Sequence, residues 1–350
     1  MRNGLRLLVT GGCGFVGSNF ILYLLRTYQD VQVINLDCLT YAGNPSNLLE
    51  AEGDPRYRFV RGDVRDPHLV NELAAQVDAI VNFAAQTHVD RSLMDGASFV
   101  ATNVHGVFVL LDALRRHRHL RKLVHISTDE VYGETTWQQP AREDDPLRPR
   151  NPYAASKAGA DLLCLSFHAA HALPVVIVRP VNIVGPRQHP EKVVPLFVTS
   201  ALQNLPLPVY GDGHQVRDWL YVDDFCRALD LILREGEPGQ VYNVGADNPQ
   251  ENLRLAETIL DILGKPRSLI RFVADRPGHD RSYTLDCSKL RRLGWKREVE
   301  FTTALERTVA WYRDNPWWWR AIFDDPAFRE YYRRQYEGRL AQGIPYDGQR

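Results

Sequence analysis

An apolar run over residues 5–9 breaks into Thr10-Gly11-Gly12-Cys13-Gly14-Phe15-Val16-Gly17. An amphipathic helix follows, with Phe20, Ile21, Leu24 and Leu25 at helical spacing. Strand, glycine turn and helix in that order constrain the fold more than any other stretch of the chain. The glycines let backbone amides approach an anion closely, and the helix N-terminus favours its charge, so the turn reads as a pyrophosphate cradle. Asp37 stands 20 residues beyond Gly17, at the end of a second apolar run over residues 31–36. That is where a dinucleotide-binding unit needs an acid for the adenosine ribose hydroxyls. A carboxylate there repels a 2′-phosphate, which favours NAD over NADP. Asp63 and Val64, after a third run at 57–60, are placed to meet the adenine, although Asp63 reads equally as a turn cap. Phe15, Val16, Thr40 and Ala84 complete the expected cofactor contacts.

The alternation continues with strands expected at 79–83, 122–126 and 174–178. Helical patterns lie between them, over residues 99–114 and over 153–172, the second opened by Pro152. Alternating strands and helices imply an α/β, Rossmann-type doubly wound parallel sheet. Past residue 180 prolines and glycines become dense and the pattern turns irregular. The expected division is a cofactor-binding domain over 1–180, to which later segments return. A smaller, interleaved C-terminal α/β region over 181–350 would bind substrate. Near the end, Trp317, Trp318, Trp319, Tyr331 and Tyr332 suggest helices that pack aromatics into a core or a partner.

A net charge of −1 gives no electrostatic case for nucleic acid. The basic run at 115–119 falls at a helix C-terminus, where it complements the macrodipole. Five scattered cysteines show no zinc spacing, so no metal is expected and free thiols in a reducing compartment are the default. The first strand begins too early to leave room for a signal peptide, and no apolar run is expected to span a membrane. A cytoplasmic protein is the expectation.

Two further constellations carry chemistry. Residues 124–126 form a β-branched strand end that runs into Thr128-Asp129-Glu130. Ligands in open α/β sheets sit beyond the carboxyl ends of the strands, so two carboxyls there are suited to opposite acid and base tasks. Taken alone, the acidic pair reads more readily as a solvated turn. Tyr153 and Lys157 are spaced to share one helix face. An ammonium beside a phenol lowers the phenol's pKa, which yields a base able to take a proton from an alcohol while hydride leaves the same carbon.

The glycine spacing with the Tyr153/Lys157 pair resembles the extended short-chain dehydrogenase/reductases, with Thr128 where that superfamily has its third hydroxyl. The match narrows over Leu39 to Asn44, Thr87 to Ser92, Ser127 to Gly133, Asn151 to Lys157, Pro190 to Lys192, Gly211 to Gly213, Val216 to Trp219 and Asp275 to Asp280. Over those stretches the chain resembles the dTDP-glucose 4,6-dehydratases. The resemblance implies removal of water from a nucleoside-diphosphate hexose, with Tyr153 and Thr128 at the C4 oxygen. It makes Glu130 the C5 base and Asp129 the acid for the C6 hydroxyl. NAD stays bound through each cycle. It also implies that His88, Asn182, Lys192, Val193, Pro208, Tyr210, Arg217, Asn252, Arg276 and His279 surround the substrate, although Arg217 could instead pair with Asp218 at the surface. A homodimer joined by a four-helix bundle is expected, since helices 99–114 and 153–172 carry apolar residues beyond one stripe. Asn182 is followed by Ile183 and Val184 where the family usually has Asn and Tyr. Cys38 and Arg187-Gln188-His189 also depart from the family pattern. Rival readings are a UDP- or CDP-glucose 4,6-dehydratase, a 4-epimerase, and a catalytically inactive NAD-binding regulator.

Overall fold

A computed structural model describes residues 4–275 and 278–346. Thirteen strands occur among them. The first six are β1 (Arg6–Thr10), β2 (Gln32–Asp37), β3 (Tyr57–Arg61), β4 (Ala79–Asn82), β5 (Lys122–Ile126) and β6 (Val175–Pro180). The remainder are β7 (Asn182–Val184), β8 (Leu207–Tyr210), β9 (Val216–Tyr221), β10 (Val241–Val244), β11 (Pro249–Glu251), β12 (Ile270–Val273) and β13 (Ile344–Pro345). Seven strands form one sheet in the order β10-β6-β5-β4-β1-β2-β3, and every pair in it is parallel. The central strands β4, β5 and β6 are buried along their whole length, as expected for a sheet covered by helices on both faces. At the edge, β3 is largely exposed and carries Arg58 and Arg61, charges that discourage pairing with another chain. The doubly wound α/β expectation therefore holds, and β10 joins this sheet from well beyond residue 180. Two three-stranded sheets, β11-β9-β7 and β13-β12-β8, are formed by strands from residue 182 onward.

Local chemistry sets the ends of the helix that matters most. Asn151 caps Pro152–His171 by accepting from the Ala154 N–H at 2.8 Å, Pro152 occupies the first turn, and Ala172 ends the helix in a left-handed conformation. The neighbouring helix Gly96–Arg116 corrects an expectation. Among the described residues it is long and apolar enough, at 21 residues, to cross a membrane. About half of it is buried inside the chain, where Phe99, Val107, Leu110, Leu111 and Leu114 pack into the core, while Val100 and Phe108 are exposed. A π-helical stretch at Val100–His105 interrupts it and presents Asn103 inward. The Asn103 amide bonds both backbone groups of Gln86 and the Ser156 hydroxyl, which ties the exit of β4 to the Pro152–His171 helix.

The terminal aromatics fold back on the chain. Trp318 and Trp319 are buried, and the Trp318 indole donates to Asn47 Oδ1 at 2.8 Å, while Trp317 stays exposed.

Candidate active site

The carboxyl ends of β1, β2, β4 and β5 open onto one cavity of about 410 Å³. Gly11 has φ +70°, and a Cβ there would lie 2.6 Å from the Ala84 nitrogen. A Cβ on Gly17 would lie 2.5 Å from the Gly11 carbonyl oxygen. Neither position admits a side chain, so the turn lies flat against the sheet. Gly14 caps the Phe15–Thr27 helix with no side-chain acceptor, and the first turn holds no acidic residue. Its leading N–H groups are left for an anion, so the residues present fit a dinucleotide pyrophosphate.

Asp37 is buried at the end of β2, and burial raises its pKa. Its carboxylate accepts from the N–H of Cys13 at 2.9 Å and of Leu39 at 2.8 Å. It fastens the glycine turn, and each oxygen keeps lone-pair capacity for a hydroxyl. Asp63 pairs with Arg65 at 2.6 Å and also caps its own turn through the Arg65 N–H. All the expected cofactor positions line this cavity: Gly11, Gly14, Phe15, Val16, Gly17, Asp37, Thr40, Asp63, Val64, Ala84, Tyr153 and Lys157.

Thr128, Asp129 and Glu130 line it too. β5 ends at Ile126, and the acidic pair sits on the short 3-10 turn Asp129–Tyr132, which Thr128 caps, rather than on a fraying strand. The turn gives the two carboxyls different surroundings. Asp129 is buried, and its Oδ2 has no hydrogen-bond partner among the described residues. Burial, then the charge of Glu130, push the Asp129 pKa up to about 8, while Arg217 pulls it back. Glu130 is half-buried, and its Oε2 accepts from the Asn151 amide at 3.0 Å. The same Asn151 thus caps the Pro152–His171 helix and aims the second carboxylate.

Lys157 is buried, and its Nζ donates to the Ile126 carbonyl at 2.6 Å. Burial brings its pKa down to about 8, against an opposing pull from Asp161. The phenol of Tyr153 departs from expectation. Burial first, and then Glu130, push it well above the ordinary phenol value, with the Thr128 hydroxyl acting the other way. A lysine one turn away does not outweigh desolvation and the three carboxyls of Glu130, Asp129 and Asp161.

On the substrate side, Asn182 and Lys192 line the cavity, and Lys192 Nζ bonds the Thr87 carbonyl at 2.8 Å. His88, Val193, Pro208, Tyr210, Arg217, Asn252 and His279 lie outside its walls. Arg217 is no surface partner of Asp218. It is buried on β9, donates to the carbonyls of Val216 and Asp280, and lies 4.5 Å over the Tyr283 ring. Asp218 instead gathers the N–H groups of Ala246, Asp247 and Asn248. The Tyr210 ring meets His279 edge-on, and its hydroxyl joins Asp90, Gln335 and Arg339. Pro208 lies on β8, Val193 opens the Val193–Leu202 helix, and Asn252 opens Asn252–Leu263 with its Oδ1 buried. Arg276 falls outside the described residues.

In one cluster, three of the stretches that carry the resemblance meet the C-terminal helix, a meeting that no spacing in the sequence announces. The Arg91 guanidinium is sandwiched between the rings of Tyr41 and Tyr331, at 3.9 and 4.1 Å, and is paired with buried Glu191 at 2.8 Å. It clasps the loop after β2 to the substrate-side segment and to the C-terminal helix Pro326–Tyr332.

The family model described as GDP-mannose 4,6 dehydratase matches residues 8–308. The chain is 51% identical to a dTDP-glucose 4,6-dehydratase of Actinoplanes sp. over 321 residues, 90% of this chain and 100% of that one. It is also 51% identical to the low-salt glycan biosynthesis protein Agl12 of Haloferax volcanii, covering 87% of this chain and 98% of the other. Among solved structures, DesIV, a dTDP-glucose 4,6-dehydratase from Streptomyces venezuelae with NAD and TYD bound, superposes with TM-score 0.88 at 48% identity, covering 91% of this chain and 100% of that one. A UDP-glucuronic acid 4-epimerase from Bacillus cereus, with UDP-glucuronic acid and NAD, gives TM-score 0.83 at 28% identity, covering 89% of this chain and 99% of the other. With a glycine cradle, a Tyr153/Lys157 pair and an acidic turn on one cavity, and with these matches running along most of its length, the chain belongs to the dTDP-glucose 4,6-dehydratase family.

Proposed function

We propose that the chain removes water from a nucleoside-diphosphate hexose, with dTDP-glucose as the substrate, and yields the 4-keto-6-deoxy sugar. NAD, when bound, supplies a positively charged hydride acceptor that is restored at the end of each cycle. The chain's own residues move the protons. Tyr153, once its phenol has given up its own proton, takes the proton of the C4 hydroxyl, which Thr128 helps to hold, and Lys157 places a cation next to that step. The C4 ketone acidifies the C5 proton, and Glu130 removes it. Asp129 gives its proton to the departing C6 hydroxyl. Lys192 and Arg217 are the cations assigned to the diphosphate, with Arg276 and His279. His88 is assigned to the sugar, Asn182 and Asn252 to the diphosphate and nucleoside, and Tyr210, with Val193 and Pro208, to the nucleoside side. Cofactor binding is assigned to 1–180 with the returning β10, and substrate binding mainly to 181–350.

The observation that carries this reading is the unequal pair on one turn. Asp129 is held up to about 8, and next to it Glu130 is aimed by Asn151. A 4-epimerase needs no second acid and base, so the pair favours dehydration. Purified protein incubated with dTDP-, UDP-, CDP- and GDP-hexoses, without added NAD, is expected to form the 4-keto-6-deoxy product fastest from dTDP-glucose. A C4 epimer formed without water loss, or no turnover of any of the four, defeats the reading.

The protein is also assigned as a cytoplasmic homodimer. All five cysteines are free, in keeping with a reducing compartment. Leu93, Met94, Val100, Phe108 and Leu162 are exposed on the helices Val89–Met94, Gly96–Arg116 and Pro152–His171. A patch of that kind on two long helices suits a bundle with a second copy. Sedimentation equilibrium at micromolar concentration is expected to give twice the chain mass of 40.0 kDa, and a monomer mass would refute the pairing.

A further inference from the structure

Beneath the catalytic turn runs a buried polar belt that the proton steps leave unused. Thr10 and Asn82 are register partners on β1 and β4, as are Asn82 and His125 on β4 and β5. The Thr10 hydroxyl donates to Asn82 Oδ1 at 2.5 Å, and the Asn82 amide meets His125 Nδ1 at 3.0 Å. Across β6 and β10, Arg179 and Asn243 are register partners as well. Arg179 reaches the Tyr132 hydroxyl at 2.7 Å, and that hydroxyl donates to Asn243 at 2.8 Å. Asp161 sits in the middle of the belt. It lies one helical turn beyond Lys157, is fully buried, and accepts from Arg179 Nε at 2.8 Å. Its other oxygen is 3.8 Å from His125 Nε2.

Of the groups that face Lys157, Asp161 is the one that bears on it as an anion. Tyr153 and Cys164 share its helix, and burial keeps both protonated. His125 on β5 is held neutral by burial and by the positive charges of Lys157 and Arg179. Arg179 on β6 is itself a cation; burial raises the Asp161 pKa, and the guanidinium at 2.8 Å opposes that rise. An ammonium this deeply buried loses its proton unless a negative charge offsets the desolvation.

We propose that Asp161, clamped by Arg179, is a positioning residue that keeps Lys157 cationic on the Ile126 carbonyl, so that an ammonium stands one helical turn from Tyr153 during the oxidation. The inference rests on the assignment of Tyr153 and Lys157 as the oxidising pair.

The test follows the first half-reaction in single turnovers of the NAD-loaded protein mixed with dTDP-glucose. The rise of reduced nicotinamide absorbance is recorded across pH for wild type, Asp161→Asn and Asp161→Glu. Wild type should lose the rise as pH passes through about 8, where Lys157 gives up its proton. In Asp161→Asn this alkaline limb should move down by about one pH unit or more, and the rate near neutrality should fall roughly tenfold, with the half-saturating sugar concentration unchanged. Asp161→Glu keeps the charge and should keep the wild-type limb. If Asp161→Asn fails to fold because Arg179 is left unpaired, Asp161→Asn/Arg179→Met removes both buried charges, and the same downward shift is expected. A wild-type limb in whichever neutralised variant folds overturns the proposal, whatever its melting temperature. If wild type itself shows no nicotinamide reduction with any nucleotide hexose, the assigned function fails instead.

Discussion

Glu130→Gln is expected to reduce its bound NAD when mixed with dTDP-glucose and then to stop. The amide keeps an oxygen that can accept from Asn151, so the cap on the Pro152–His171 helix and the turn itself are undisturbed. What is lost is a base for the C5 proton, a defect of about 10²–10⁴-fold in water loss for a positioned general base. Oxidation should survive, and its pH dependence should change in a stated direction. The charge of Glu130 is the second largest influence holding Tyr153 in its protonated form, after burial. Without it the phenol ionises more easily, so nicotinamide reduction in the variant should extend to lower pH than in wild type. Stopped-flow absorbance reports the first event and product analysis the second. Wild-type rates of dehydration in Glu130→Gln would remove Glu130 from the role of C5 base. Loss of both events together would move its role to the oxidation.

The features legible in the sequence were local in the chain. Gly11, Gly14, Gly17 and Asp37 lie within one βαβ unit, and Tyr153 and Lys157 within one helical turn. Their spacing alone brings them together, and the cavity holds all of them. The acidic pair was legible as a pair, but its setting was not. Whether it lies on a strand end or on a capped 3-10 turn depends on Gly133 and on the register of β5, and those decide which carboxyl turns inward. Depth was the other quantity the chain did not declare. The lysine was expected to draw the phenol down, yet burial reverses the direction, and no local pattern encodes how far a residue sits from water. Long-range partners were equally silent. Arg91 meets Tyr331 and Glu191 only once the C-terminal helix has folded back, and Asp161 finds Arg179 only across β6. Helix Gly96–Arg116 shows the converse case. Its apolar composition is plain in the sequence, but only packing separates a core helix from a membrane span.

Asp129→Asn is expected to trade activity for stability. In wild type the Asp129 carboxyl is protonated through neutral pH, because burial and the neighbouring Glu130 raise its pKa to about 8 against the pull of Arg217. An amide has no proton to give a departing hydroxyl at any accessible pH. Product formation should therefore fall by about 10²–10⁴-fold, with nicotinamide reduction retained. In wild type the dehydration step should decline as pH rises through about 8. Lys157 limits the oxidation step in the same range, so the two must be followed by separate signals. The sign of the stability effect follows from the same raised value. The folded state binds this proton more tightly than the unfolded chain does. Its contribution is complete below the unfolded pKa of about 4 and disappears as pH climbs through the folded value. The loss builds up from about pH 4, where the unfolded chain ionises, and is complete near the folded value of about 8, where a carboxylate with one oxygen buried and unpartnered among the described residues ionises in place; it is on the order of several kcal/mol. The amide of Asp129→Asn carries no such charge, so the variant should be the less pH-sensitive fold. The gap between the two proteins should therefore open as pH rises from about 4 towards about 8, with most of it present by neutrality, and stay level above that, the inactive variant melting several degrees higher there relative to wild type than it does in acid. Melting temperatures that run parallel for the two proteins between pH about 4 and about 8 would show that Asp129 is ionised at rest. The acid that frees the C6 hydroxyl would then have to be sought elsewhere on the cavity wall.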